Sequence, residues 1–188
     1  MNFKRIYFVF LIIFNINYFD LKANEIKIIA QVNNEIITSY DLYKEIMLIE
    51  ALEKRSVKPN EKLALINKII NDKIKELETK KLKIIVNNKD IEKKIKNISK
   101  NTSLKENKEL FDLIYKKLSV EAKWKKLIII KFRNKLEVNI NEINQKIKLK
   151  NYQENKDDII NIEKINKATI LSKTYFNEVK QKFYIKIL

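Results

Sequence analysis

Apolar positions in this chain follow two different periods, and the shorter one marks both ends of the folded part. In the stretch IKIIAQVNNEIITSYDL, residues 26–42, apolar runs at 26–32 and 35–38 flank the pair Asn33-Asn34. Asparagine tolerates the left-handed backbone values that a two-residue hairpin turn demands, so this reads as strand, turn, strand. Thr38 or Ser39 then offers a helix cap, and Asp41 puts a negative charge in the first turn, where the helix dipole favours it. A lone hairpin is marginal in water and needs a third strand or a helix to cover it. The closing run FYIKIL, residues 183–188, alternates Phe183, Ile185 and Ile187 with Tyr184 and Lys186. That period of two makes it the natural third strand.

Between these ends the spacing is helical. Leu42, Ile46, Ile49 and Leu52 predict a first helix to about Lys54. Pro59 suits the first turn of a second, whose stripe is Leu63, Ile66, Ile70, Ile74 and Leu77, ending near Lys81. Residues 82–86 form a short apolar connector. Asn87 or Asn88 caps a third helix with Ile91, Ile95 and Ile98 inside, and the polar residues 101–107 interrupt the pattern. Leu110, Ile114 and Leu118 carry a fourth helix; Ser119 separates it from a fifth, where Trp124, Ile128, Phe132 and Leu136 fall four apart. The run 127–130 has more apolar residues than one face needs, which predicts either burial on several sides or an exposed patch that meets a partner. Asn139 opens another helix with Ile140, Ile143 and Ile147; residues 151–158 are polar and acidic, as in a loop; Ile165, Ala168, Leu171, Tyr175 and Val179 make the last helix. The predicted fold is mainly α, a module of about six to seven helices with a small β-sheet formed by the N-terminal hairpin and the C-terminal strand.

Composition narrows the chemistry. The chain has 188 residues, with no glycine, histidine or cysteine. Phosphate-cradling loops need backbone without a Cβ beside the ligand, and most zinc sites, thiol chemistry and the usual general base need His or Cys. No cofactor, metal or catalytic residue is expected, and the chain does not read as an enzyme. The net charge of +16 comes from lysines scattered along the whole sequence. Scatter fits a solvated helix surface better than a nucleic-acid footprint, with a salt-dependent attraction to anionic membrane surfaces as its consequence.

The first residues have their own grammar: Lys4 and Arg5, an apolar run over 6–19, then Leu21-Lys22-Ala23. This is the order of a secretory signal peptide, residues 1–23, and the run is too short for a comfortable membrane span. Export of a chain without cysteine points to a bacterial periplasm.

The order strand, turn, strand and capped helix in IIAQVNNEIITSYDL, with the closing LSKTYFNEVKQKFYIKIL, resembles the SurA family of periplasmic chaperones. In that family an N-terminal helical module is completed by a C-terminal helix and strand. The resemblance implies one chaperone domain over 24–188: an N-terminal module at 24–150, a linker or loop at 151–164, and a completing helix and strand at 165–188. Family members usually carry parvulin-type prolyl isomerase domains in between. Residues 151–164 are far below the roughly 100 that such a domain requires, so the isomerase domains are absent.

The function this implies is an ATP-independent holdase that binds unfolded outer-membrane proteins or other extended polypeptides. Tyr43, Met47, Phe111, Tyr115, Trp124 and Phe132 are the candidate client-binding residues, each also explicable as core. Two other readings are a prolyl isomerase-family protein with residual or no activity, and a basic binder of nucleic acid or anionic surfaces.

Overall fold

The computed structural model describes residues 26–99, 107–150 and 155–188. The expected signal segment 1–23 lies outside them, as do most of the polar interruption at 101–107 and the start of the expected linker.

Strands β1 (Ile28–Val32) and β2 (Glu35–Thr38) form the hairpin, and β3 (Ile185–Ile187) pairs antiparallel with β1, giving the order β2-β1-β3. Asn33 carries the turn at φ 51°, in the left-handed region. It also clasps the chain end: its N–H donates to the Tyr184 carbonyl at 2.8 Å, and its Oδ1 accepts the Tyr184 N–H at 2.8 Å. Ala30, Val32 and Ile37 point inward and are buried.

Six α-helices follow among the described residues: α1 (Ser39–Glu53), α2 (Lys62–Lys81), α3 (Asn88–Ser99), α4 (Lys108–Lys131), α5 (Ile140–Lys150) and α6 (Lys156–Lys180). Thr38 and Asp41 close a reciprocal capping box on α1; Asp41 N–H donates to Thr38 Oγ1 at 3.2 Å and Thr38 N–H to Asp41 Oδ2 at 2.9 Å. Burial alone would raise the Asp41 carboxyl, but the hydrogen bonds from Thr38 outweigh it and lower its pKa. Asparagine then opens one helix after another. Asn87, Asn107, Asn139 and Asn155 each accept a backbone N–H from the first turn through Oδ1, so the Asn-rich composition becomes local structure.

Two buried clusters make the core. The first joins the sheet, α2, the second half of α4 and α6 through Ala30, Val32, Ile37, Ile70, Ile74, Trp124, Leu127, Ile128, Tyr175 and Val179. The second joins α1, α3 and the first half of α4 through Leu48, Ile91, Ile95, Leu110 and Ile114.

The sequence expectation is corrected in three places. Ser119 does not separate two helices; α4 runs unbroken through it. A serine costs a helix interior only a few tenths of a kcal/mol. What changes there is the partner: Leu110 and Ile114 face the second cluster, while Trp124, Leu127 and Ile128 face the first. Further along, α4 ends at Lys131, so Phe132 is its cap and Leu136 sits in a 3-10 turn, Arg133–Leu136. Finally, the expected linker at 151–164 is helical from Lys156 onward, because Asn155 caps α6 and Asp157 and Asp158 occupy its first turn. Acid and asparagine there are helix-start chemistry.

Candidate functional site: an apolar groove between helices

α4 and α6 pack on each other and both pack on α2, yet they leave a groove of about 840 Å³. Residue size explains the gap. Along α6 the groove-facing residues are Ile165, Ala168, Thr169, Ser172 and Phe176, at helical spacing, and the middle three are small. From α4 come Trp124, Ile128 and Ile129; Leu136 of the 3-10 turn also lines it. Ile129 is 46% exposed and Ile165 62% exposed, although both belong to an otherwise apolar wall. The surplus in the run 127–130 is therefore divided, with Leu127 and Ile128 in the core and Ile129 and Ile130 facing out.

The floor is rigid. Trp124, 3% exposed, donates from its indole Nε1 to Ser172 Oγ at 2.9 Å. Its ring stacks on Tyr175 at 5.6 Å between centroids and meets Phe176 edge-on at 5.9 Å, and Phe132 meets Tyr175 edge-on at 5.9 Å. The Tyr175 hydroxyl donates to Glu78 Oε1 at 2.6 Å; burial and this carboxylate together push its pKa well above the usual phenol range. Lys131 lies over the Tyr175 ring at 4.7 Å.

Lysines form the rim. Lys75, Lys125, Lys164 and Lys173 line the opening against one carboxylate, Glu121, which pairs with Lys75. Such a site offers contact for apolar and aromatic side chains with cations around the edge. It contains no nucleophile paired with a base.

The six candidate residues from the sequence do not share one surface. Trp124 and Phe132 come together in the aromatic floor. Met47, Phe111 and Tyr115 pack half-buried against the second cluster, and Tyr43 is exposed on α1, stacked on Tyr40. Sequence reasoning missed Ile165, Ala168, Ser172 and Phe176. Small residues at helical spacing on the last helix were the available signal, but only a facing helix turns them into a groove.

A second polar site lies at the junction of α1, α2 and α4. Lys117 Nζ is 2.7 Å from both Glu45 Oε2 and Asp72 Oδ2, and Lys68 Nζ is 3.1 Å from Glu45 Oε1 without hydrogen-bond geometry. Burial alone would push the Lys117 ammonium down, but the carboxylates of Asp72 and Glu45 outweigh it and raise its pKa. A lysine held charged in this way is neither a base nor a nucleophile, and it serves to neutralise the buried Glu45. Among the described residues no group of carboxylates is arranged to hold a metal ion, and no helix is long and apolar enough to cross a membrane.

No family model matches the chain, and no curated protein matches it.

Proposed function

We propose that this protein is an ATP-independent holdase that takes hold of short apolar stretches of unfolded polypeptides, unfolded outer-membrane proteins in a periplasm being the expected clients. One observation carries the reading: the groove between α4 and α6, apolar inside, ringed by lysines and left open by the small residues of α6. Its volume lies in the range of clefts that enclose a small ligand, which suits a few side chains of an extended chain. Outer-membrane strands alternate apolar and polar residues and carry aromatic girdles, so such clients present suitable side chains while unfolded. Lysine stems can cover apolar surface while their charges keep the complex in water. The closure of the sheet by the two chain ends is consistent with the SurA-like resemblance and supports the reading only at the level of architecture.

The test follows the aggregation of an unfolded outer-membrane barrel protein by light scattering in the presence of residues 24–188. Suppression at a few-fold excess is expected, and Ile129→Asp with Ile165→Asp should weaken it while leaving the thermal melt in place, because both residues are exposed. No suppression at several-fold excess overturns the proposal. Suppression should persist at high salt, since apolar burial is not screened; collapse with salt would mark a binder of anionic surfaces instead.

A further inference from the structure

We infer that the groove between α4 and α6 selects apolar segments flanked by acidic residues, so that client choice is set by carboxylates beside the apolar core of the segment. This rests on the holdase reading and names the class of segment the site takes.

The inference comes from the distribution of charge around the opening. Lys75 and Glu121 neutralise one another across the α2–α4 side. Lys125 on α4, with Lys164 and Lys173 on α6, are exposed and have no acidic partner among the described residues. Lys164 and Lys173 are nine positions apart, about 13 Å along the helix axis, which brackets the small-residue stretch from both ends. Lys125 faces them from the other wall. An apolar side chain resting on Ile129, Ile165 and Phe176, the lining residues that keep accessible surface, would thus place residues on either side of it within reach of an ammonium group. Basic flanks would meet three uncompensated like charges and be repelled.

Net charge alone would favour any acidic peptide, so the experiment separates groove from surface. Three labelled peptides share one apolar and aromatic core and carry acidic, serine or lysine flanks; binding to residues 24–188 is read by fluorescence anisotropy at low and high salt. The acid-flanked peptide should bind about tenfold more tightly than the serine-flanked one at low salt, with the gap closing at high salt. Combined reversal of Lys125→Glu, Lys164→Glu and Lys173→Glu should invert the order of preference. The matched reversal of Lys93→Glu, Lys94→Glu and Lys96→Glu on α3, which lines no part of the groove, should leave it unchanged.

Equal binding of the three peptides overturns the inference while leaving the holdase reading intact. So does an equal effect of both triple variants. Absence of all peptide binding in a protein that still suppresses aggregation also overturns it, and loss of both activities removes the holdase reading with it. A dimer in sedimentation that the groove reversal disperses would make a second copy the occupant, and would overturn it as well.

Discussion

At the scale of single residues, a chain without glycine still has to turn, and among the described residues three have left-handed backbone: Asn33, Lys54 and Lys83. Asparagine adopts that region readily, whereas lysine does so at a cost of about 1 kcal/mol. Lys83 accepts the cost because it ends α2 in a Schellman arrangement. Ile84 N–H donates to Thr79 O at 3.0 Å and Lys83 N–H to Lys80 O at 3.0 Å, which lets Ile84 pack on the first cluster. Lys83→Gly should therefore raise stability by about 1 kcal/mol in urea denaturation, with an unchanged m-value. Tyr175 supplies a pH prediction. Its folded pKa is raised, so the hydroxyl keeps its proton in the folded state after the unfolded chain begins to lose it near pH 10. The stability it contributes is complete below that pH and is lost as pH rises further. Tyr175→Phe should flatten the alkaline limb of a stability profile measured from pH 8 to 11, at a cost of about 1 kcal/mol at neutral pH from the missing bond to Glu78.

At the scale of elements, the hairpin and the last strand depend on each other. β1 is central, β2 and β3 flank it, and the Leu188 N–H donates to Ile29 O at 2.9 Å beside the double clasp at Asn33. Phe183 and Ile185 pack on the first cluster from the same segment. Deleting residues 183–188 should cost on the order of 3 kcal/mol, roughly 6–12 °C in melting temperature, read by circular dichroism. An unchanged melt would contradict the coupling of the two ends. This pairing was legible beforehand, since alternation over FYIKIL and the need of a bare hairpin for a partner left few arrangements. The continuity of α4 was not. A stripe that shifts round a helix as its partners change looks, in one dimension, like two helices with a break at Ser119.

At the scale of the molecule, α4 is the member that both clusters share, and the Glu45–Lys117–Asp72 network ties α1, α2 and α4 along it. Loss of packing in either cluster should then be felt by the whole. Ile95→Ala in the second cluster and Leu127→Ala in the first should each cost about 2–5 kcal/mol and shift one common transition, seen alike by Trp124 fluorescence and far-UV circular dichroism. Separate transitions by the two probes would show the clusters to be independent. The sequence by itself determined the local events: the Asn33 turn, the caps at Thr38 and the asparagines, the helical periods, and the alternation that makes a third strand. Each depends on residues within a few positions of one another, whose chemistry can be read along the chain. Only the tertiary structure decided which apolar residues are core and which line an opening. Trp124 and Ile129 stand five residues apart on one helix, yet the indole is locked against Ser172 and the isoleucine is half exposed. That difference comes from the small residues of α6, which lie about forty or more positions further along the chain and meet α4 only when the helices pack.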